Sequence, residues 1–305
     1  MGIIYMLLDG VGLTDTPAPP WTSADLRTIP ALLGALPSAQ LHVMSDDLLW
    51  KPLDATMGVP GLPQSGSGHT ALLTGVNASA LLGYHQAAFP AATLQRVIEE
   101  HSILRRARQL GLRALLATAY PERYWELISS RRLRATAGAL AARAAGIDLL
   151  SIPEWLAGQA LPWDITGEYL QRRRPELAGL PPLTPEEAGR RLAALPRQYE
   201  LVFYECYLPD FVGHRRIDIS HEAALALIDR FLGSLIESRH SGDTLVVVSD
   251  HGNIEEPGHR QHTRNPVPLC VVGPGARLFV DLQGIEDVAG MVLRLLGAQN
   301  AGQVA

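Results

Sequence analysis

The chain has little cysteine: only Cys206 and Cys270 occur in 305 residues. Two cysteines without a pairing pattern or a thiol metal motif give no indication of an oxidising compartment. No apolar run reaches the length that a membrane-spanning helix needs, so no membrane partner is expected. The N-terminus runs directly into a strand-like segment, which leaves no room for a cleavable signal. We therefore expect a cytoplasmic protein.

An excess of positive charge is also absent. Lys and Arg number 26 against 31 Asp and Glu, a net charge of −5. This balance argues against a nucleic-acid partner, although local basic clusters exist. The length is sufficient for a large core and predicts one α/β domain that carries an insertion. Nothing in the sequence indicates the oligomeric state.

Two acids follow short apolar runs that predict buried strands. Asp9 follows residues 3–8, and Asp250 follows residues 244–249. Strand ends are where an open α/β sheet usually binds ligands. An unpaired carboxylate there costs several kcal/mol in desolvation, which a divalent cation removes. Taken singly, either Asp could instead cap a helix or simply end a strand.

A carboxylate and imidazoles recur further along the chain. Asp210 and His214 follow the strand-like residues 201–204 and stand four positions apart. If the turn after Asp210 is helical, both side chains lie on one face. His262 lies in a loop before another apolar run, and His259 nearby competes for the same role.

A serine stands where a glycine-rich turn leads into a short Ala/Leu helix. Ser65 begins the stretch Ser-Gly-Ser-Gly-His-Thr-Ala-Leu-Leu. The exposed amides and the dipole of a helix N-terminus favour an anion. A serine oxygen activated by a metal at this place would be a nucleophile for phosphoryl groups. The alternative is that Ser65 or Ser67 is only the N-cap.

In chain order these segments resemble the alkaline phosphatase superfamily, most closely the branch of cofactor-independent phosphoglycerate mutase and phosphopentomutase. Five motifs carry the resemblance: Leu8-Asp9-Gly10-Val11-Gly12, Ser65-Gly-Ser-Gly-His69, Asp210-Phe-Val-Gly-His214, Ser249-Asp250-His251-Gly252-Asn253 and His262-Thr-Arg-Asn-Pro-Val-Pro268. Any one motif could arise by chance, but all five in the family's order are strong support.

The resemblance implies a two-metal site with Ser65 as the nucleophile. One metal would be held by Asp210, His214 and His262, and the other by Asp9, Asp250, His251 and the Ser65 oxygen. The register of the last motif favours His262 over His259. Carboxylate and imidazole ligands suit zinc or manganese and do not choose between them. His69 and Arg123 are candidates for contacting the substrate.

The resemblance also implies the fold: a three-layer α/β core like that of alkaline phosphatase, with a mostly parallel central sheet. We assign residues 1–118 and 186–305 to this discontinuous catalytic core and residues 119–185 to a small, mostly helical inserted cap. The cap is proline-rich and arginine-rich and offers no convincing strand. Arg123 is the best substrate candidate among its arginines because it directly follows a predicted core strand.

The implied activity is two-metal-dependent phosphoryl transfer to or from a small anionic, phosphorylated substrate. The short cap favours hydrolysis of a phosphomonoester through a phosphoserine, since the mutases carry a much larger inserted domain. The alternatives are a phosphomutase, a phosphodiesterase or sulfatase-type hydrolase, and a non-catalytic metal-binding protein. The stretch around Ser65 lacks the Cys/Ser-x-Pro-x-Arg pattern of formylglycine sulfatases.

Overall fold

The computed structural model describes residues 1–174 and 177–302. In this part of the chain, seven strands form one sheet in the order β2-β3-β7-β6-β1-β5-β4. The strands are β1 Ile3–Leu8, β2 Val43–Met44, β3 Leu48–Leu53, β4 Ala114–Leu116, β5 Leu201–Cys206, β6 Thr244–Ser249 and β7 Val267–Val272.

Helices connect and cover these strands. In chain order the first nine are α1 Thr28–Leu33, α2 Ser65–Thr74, α3 Ala78–Leu82, α4 Ala92–His101, α5 Ile103–Gln109, α6 Tyr124–Ser129, α7 Ala137–Ala144, α8 Ile152–Leu156 and α9 Glu168–Arg173. They are followed by α10 Pro185–Ala194, α11 Leu208–Gly213, α12 His221–Ser238 and α13 Asp287–Gly302, with 3-10 turns at Leu195–Arg197 and Ala276–Phe279. None of these helices is both long enough and apolar enough to cross a membrane.

The centre of the sheet is parallel. β1 pairs in parallel with β5 on one side and with β6 on the other, so that Ile3 lies opposite both Leu201 and Thr244. β4 continues the parallel part beside β5, whereas β7, β3 and β2 are antiparallel. All six residues of β1, β5 and β6 are buried, as expected for strands covered on both faces. The mostly parallel central sheet that the resemblance implied is confirmed.

Alternate residues of β1 supply two separate cores, one on each face of the sheet. Tyr5 points into the core that includes α2, α4, α5, α7 and α13. Met6 points into the core that includes α1, α10 and α12. The molecule is therefore a three-layer α/β structure, as the resemblance implied. Leu225, Ile228, Leu232 and Leu235 form the buried face of the amphipathic helix α12.

Residues 92–109 form two consecutive helices, α4 and α5, rather than one. Ser102 adopts an extended conformation, ends α4 and begins α5. Its side chain is fully buried, so the break lies inside the core rather than in a surface loop. The chain then reverses at Gly111, whose φ of +79° favours glycine, and enters β4.

The predicted cap segment is helical but is packed closely against the sheet layers. α7 contributes buried residues, Leu140 among them, to the core shared with α2 and α4. Leu161 exchanges backbone hydrogen bonds of 2.8 Å with Ala117 and Ala119 and thereby extends the sheet edge beside β4. Among the described residues of 119–185 there is no longer strand. That this segment is a separate inserted unit stays a prediction.

Candidate metal centre

The predicted ligand residues meet at one edge of the sheet. The carboxyl ends of three neighbouring parallel strands, β6, β1 and β5, point to this edge. Asp250 directly follows β6, Asp9 directly follows β1, and α11, which contains Asp210, begins two residues after β5. Residues from distant parts of the chain therefore converge because their strands are adjacent.

The predicted nucleophile lies at the first turn of α2. Gln64 is the N-cap and Ser65 is the first helical residue, so neither Ser65 nor Ser67 caps the helix. Ser65 Oγ is 3.0 Å from His251 Nε2, whereas the Ser67 hydroxyl donates to Gln64 O at 3.1 Å. Ser65, unlike Ser67, is thus directed towards the predicted ligands.

A glycine allows α2 to approach the metal-ligand loop this closely. A Cβ on Gly68 would lie 2.9 Å from Asp250 Cβ and 3.1 Å from its carbonyl oxygen. Any larger side chain at this position would have to move the helix or the loop. The second glycine of the Ser-Gly-Ser-Gly-His motif is therefore required for steric reasons.

One group of side chains consists of Asp210, His214 and His262. Because α11 is helical, Asp210 and His214 are one turn apart, and Asp210 Oδ1 lies 3.0 Å from His214 Nε2. The same carboxylate oxygen is 3.3 Å from His262 Nε2. The two Nε2 atoms are only 2.9 Å apart.

The hydrogen bonds of the two imidazoles leave both Nε2 lone pairs directed at each other. His214 Nδ1 lies 2.6 Å from Arg260 O, and His262 Nδ1 lies 2.8 Å from Pro63 O. Each Nδ1 must therefore carry the hydrogen that it donates to a carbonyl. In the neutral imidazole the Nε2 atom is then an acceptor. This is the arrangement that orients histidines towards a metal ion.

The second group surrounds Asp9 and Asp250. His251 Nε2 is 3.2 Å from Asp9 Oδ1 and 3.2 Å from Asp250 Oδ2. His69 Nε2 is 3.4 Å from Asp9 Oδ2 and 3.2 Å from Asp250 Oδ2. The rings of His251 and His262 stack at 3.7 Å, so the two groups are contiguous.

The proximity of His69 to both carboxylates was not deduced from the sequence. Its position four residues after Ser65 was the available signal, because that spacing places both side chains on one face of α2. Behind it, His69 Nδ1 is 4.0 Å from the buried Glu205 Oε1, and the ring of Tyr207 stacks on the imidazole at 6.0 Å. His69 is thus enclosed by acidic and aromatic groups.

The electrostatics of the site are dominated by buried opposite charges. Burial opposes charge on His251, but the carboxylates of Asp250 and Asp9 outweigh it and raise its pKa to about 9. Burial also opposes charge on Asp9, yet His69 and His251 hold the pKa of Asp9 well below its usual range. The pKa of His69 is raised well above its ordinary value by Asp250 and Asp9 despite its burial. The site therefore favours ionised carboxylates next to a positive charge.

Several buried polar atoms of this cluster have no hydrogen-bond partner within the described residues. They are Asp9 Oδ1, Asp210 Oδ1, Asp250 Oδ2 and His69 Nε2. Buried polar atoms are normally satisfied, so the convergence of three unsatisfied carboxylate oxygens is typical of a cation site. The potential ligand atoms fall into two sets within 4.8 Å of one another: Asp210, His251 and His262, and Asp9, His69 and Asp250. The residues present fit two divalent ions.

Two other predicted or competing residues lie outside this cluster. The side chain of Arg123 is 77% exposed and pairs with Glu126. His259 is 44% exposed and lies 3.0 Å from Glu256. The structure therefore brings His262, and not His259, to Asp210.

A buried glutamate ties together the loops that carry the predicted ligands. Glu255 Oε2 accepts hydrogen bonds from the amides of Gly12 at 3.0 Å and Asn253 at 2.7 Å. Its Oε1 accepts from the Thr263 hydroxyl and, at 3.1 Å, from Asn265 Nδ2. These donors belong to the loops after β1, after β6 and around His262. Sequence spacing alone gave no signal for this role.

Comparisons with known proteins agree with this geometry. Residues 185–300 match the model of the Metalloenzyme superfamily. The chain is 34% identical over 121 residues to the 2,3-bisphosphoglycerate-independent phosphoglycerate mutase of Cereibacter sphaeroides. The aligned stretch covers 37% of this chain and 24% of that protein. It is 34% identical over 131 residues to the corresponding mutase of Paracoccus denitrificans, and this stretch covers 40% of this chain and 25% of that mutase. The chain thus spans only about a quarter of the mutases that it matches.

Two solved structures share the fold over nearly the whole chain. The PH0037 protein from Pyrococcus horikoshii has a TM-score of 0.57 at 13% identity and covers 97% of this chain and 96% of its own. The cold-active alkaline phosphatase of a psychrophilic Shewanella has a TM-score of 0.55 at 16% identity, and the match covers 97% of this chain and 100% of the phosphatase. The chain therefore shares the fold of an alkaline phosphatase, and its residues 185–300 match the Metalloenzyme superfamily. Over 121 to 131 residues its sequence is similar to 2,3-bisphosphoglycerate-independent phosphoglycerate mutases.

Proposed function

We propose that this protein catalyses phosphoryl transfer, and that the reaction is hydrolysis of a small phosphomonoester through a phosphoserine at Ser65. The observation that carries the proposal is the position of the Ser65 hydroxyl. It lies at the N-terminus of α2, 3.0 Å from His251 Nε2 and beside buried carboxylates with unsatisfied oxygens. A nucleophile, an anion-binding helix end and ligands for cations therefore share one small volume.

Two divalent ions, manganese or zinc, are the proposed cofactors. Asp210, His214 and His262 would hold one, and Asp9, Asp250, His251 and Ser65 the other. An alternative assignment exchanges two histidine ligands. His251 stacks on His262 and could belong to the first ion, and His69 faces the carboxylates of Asp9 and Asp250 and could belong to the second. When bound, such ions act as Lewis acids that lower the pKa of a coordinated hydroxyl and neutralise phosphoryl oxygens.

The chain's own residues define the chemical step. Ser65 Oγ gives up its proton and forms a bond to phosphorus while the bond between phosphorus and the ester oxygen breaks, and the leaving alkoxide takes up a proton. The N-terminal amides of α2 stabilise the equatorial phosphoryl oxygens, since they carry partial positive charge. Water then attacks the phosphoserine, which releases inorganic phosphate and restores the Ser65 hydroxyl.

Hydrolysis is preferred to mutase activity because residues 119–185 are few compared with the inserted domain of the mutases. Phosphomutase activity is the second candidate, supported by the identity of about one third to two phosphoglycerate mutases over a quarter of their length. A mutase would return the phosphoryl group from Ser65 to a hydroxyl of the bound substrate rather than to water. The proposed substrate is in either case a small phosphorylated molecule, and the proposed location is the cytoplasm.

The test is hydrolysis of p-nitrophenyl phosphate by protein that has been stripped of metal and reloaded with manganese or zinc. Ser65→Ala and Asp250→Ala should each abolish turnover, while Ser67→Ala serves as the matched control. Ser67 is also buried in the same helix, but its hydroxyl donates to Gln64 O. Turnover should therefore survive the loss of its hydroxyl, with folding of each variant checked by circular dichroism.

The outcomes separate the candidate functions. Metal-dependent release of nitrophenol that is lost in Ser65→Ala supports the proposal. Equal activity in Ser65→Ala and the wild type would refute the role of the serine. Interconversion of phosphoglycerates without release of phosphate would replace the phosphatase by a mutase. Turnover of a diester or sulfate ester alone would move the activity to another hydrolase class. The suggested contact of Arg123 with substrate is tested separately, since an unchanged KM in Arg123→Ala would remove it.

A further inference from the structure

A cavity lined by aromatic rings lies beside the candidate metal centre, where residues of the segment 119–185 meet the sheet edge. Its volume is about 190 Å³. Four aromatic side chains line it: Tyr120, Trp155, Trp163 and Tyr207. Among the described residues of its lining, Arg174 is the only charged one. We call this space the aromatic cavity, and its walls suit an uncharged group because burying a charge against them is costly.

The aromatic cavity shares its sheet edge with the metal centre. Thr118 comes two residues after β4 and Tyr207 directly follows β5, and both line the cavity. The carboxyl ends of parallel strands are where such a sheet usually binds ligands. The ring of Tyr207 also stacks on His69 at 6.0 Å, and His69 Nε2 is 3.2 Å from Asp250 Oδ2. Tyr207 is therefore a common neighbour of the cavity and of the predicted ligands.

A second ring connects the two sites on their more exposed side. Trp163 lines the cavity and packs at 4.6 Å against Phe211, which follows Asp210 in α11. The rings of Trp163 and Phe211 belong to half-buried residues. The backbone carbonyl of Trp163 accepts a hydrogen bond of 3.0 Å from the Tyr207 amide. The cavity is thus joined to the surroundings of the metal centre through both Tyr207 and Trp163.

The loop that presents Trp163 is strained and firmly held. Ile165 has a φ of +70°, a conformation that a β-branched residue rarely adopts. The buried carboxylate of Asp164 accepts hydrogen bonds from the amides of Gly167 at 3.1 Å and Tyr169 at 2.7 Å. Strain of this kind persists only where surrounding contacts fix it, and it is common beside ligand sites. Trp163 is therefore held in one place at the cavity wall.

The size of the cavity fits one aromatic ring. An apolar cavity of about 150 Å³ is large enough to bind benzene, and the aromatic cavity has about 190 Å³. Aromatic walls favour an aromatic guest, because rings pack well in offset and edge-to-face arrangements. Ligand sites commonly combine such an apolar region with a few polar groups that fix the orientation of the ligand. Here the neighbouring metal centre supplies the polar groups.

We propose that the aromatic cavity binds the alcohol part of the substrate, and that this part carries one aromatic ring or an apolar group of similar size. The inference rests on the proposed phosphoryl transfer at Ser65. The phosphoryl group lies at the metal centre while the ring packs against Trp163 and Tyr207. The substrate class is thereby narrowed to phosphomonoesters of uncharged, apolar alcohols.

The kinetic test compares esters that differ in the group destined for the cavity. Ethyl phosphate and 2-phenylethyl phosphate are both esters of primary alcohols, so their chemistry at phosphorus is similar. Burial of the phenyl ring should raise kcat/KM about tenfold to a hundredfold, mainly through KM. The 2-carboxyethyl ester, which has a charge in place of the ring, should be no better than the ethyl ester. Equal kcat/KM for the ethyl and phenylethyl esters would overturn the inference and leave the proposed phosphatase standing.

A matched pair of leucines tests the location. Leu133 lines the cavity and is 39% exposed, so a polar residue there should not disturb the core. Leu133→Asp places a charge at the wall and should lower kcat/KM for the phenylethyl ester to that for the ethyl ester. Leu156, in α8, is 53% exposed and is not among the described lining residues. Leu156→Asp should keep the preference; if both variants lose it, or neither does, the inference is wrong.

A binding measurement keeps this inference separate from the proposed activity. Metal-free Ser65→Ala protein is titrated with 2-(4-nitrophenyl)ethanol, whose nitroaromatic ring quenches tryptophan fluorescence. Because Trp155 and Trp163 line the cavity, quenching should saturate, whereas 2-nitroethanol, which lacks the ring, should quench only linearly. Saturation that is lost in Leu133→Asp and kept in Leu156→Asp supports the cavity even if no ester is hydrolysed. Linear quenching by both alcohols, or unchanged saturation in Leu133→Asp, would overturn it.

Discussion

Replacing Glu255 by Gln should weaken both the fold and metal binding because one carboxylate joins three loops. Glu255 is 1% exposed and accepts four hydrogen bonds, from Gly12, Asn253, Thr263 and Asn265. A Gln side chain keeps one oxygen acceptor but presents an NH₂ group to donors on the other side. A hydrogen bond to a charged acceptor contributes about 1.5–3 kcal/mol, so losing two should lower the free energy of unfolding by about 3–6 kcal/mol.

In a chain of this size that loss corresponds to a fall in Tm of about 5–10 °C. Metal affinity should fall about 10–100-fold, as for other groups that orient ligands indirectly. Calorimetry of the metal-free protein measures the first effect, and titration against a competing fluorescent chelator measures the second. The matched control is Glu256→Gln, since Glu256 is the next residue and its side chain is 40% exposed. Indistinguishable Tm and metal affinity in the two variants would refute the reasoning.

Three further predictions follow from other parts of the structure. Gly68→Ala should reduce turnover at least about tenfold, because its Cβ would lie 2.9 Å from Asp250 Cβ and displace α2; Gly290→Ala in α13, with open space around it, should fold and turn over normally. In metal-free protein the raised pKa of His251, about 9, contributes stability that is complete below its unfolded pKa of about 6.5 and is lost as the pH rises through 9. Urea unfolding of chelated protein at pH 6.5 and 9 should show this loss, and a gain of stability over that interval would contradict it. Cys206 and Cys270 are buried, which raises the pKa of both thiols, that of Cys270 to about 12; a thiol-reactive dye should label neither in the native protein and both in guanidinium.

Much of the fold was predictable because its signals are local. The apolar runs before Asp9 and Asp250 are β1 and β6, and the helical spacing of Leu225 to Leu235 is α12. The placement of Ser65 at a helix start followed from the glycine-rich turn before an Ala/Leu segment. In each case a few adjacent residues contain the information. The same is true of Asp210 and His214, whose spacing matches one helical turn.

Other elements depend on contacts that no local pattern encodes. β3 is not predicted from the sequence because Lys51 and Pro52 interrupt its apolar run. The burial of Lys51 depends on its ammonium group, which donates to the carbonyls of Val280 and Leu282. Gly12 and Glu255 are 243 positions apart, so their hydrogen bond becomes visible only once the sheet is assembled. The antiparallel direction of β7 is likewise a property of the short return after the His262 loop rather than of its apolar residues.

The central place of β1 has a consequence for biosynthesis. Its partners are β5 and β6, so the first strand made by the ribosome must wait for residues beyond 201 and 244 before it can pair on either side. Asp9 and Ser65 are translated early, whereas Asp250 and His262 are translated late. A growing chain therefore cannot capture metal at a finished site until nearly all of it has been synthesised, and contacts this distant in sequence form slowly. Metal uptake in such a protein reports completed translation and folding, and truncated products lacking His262 would be distinguishable by their failure to retain the ion.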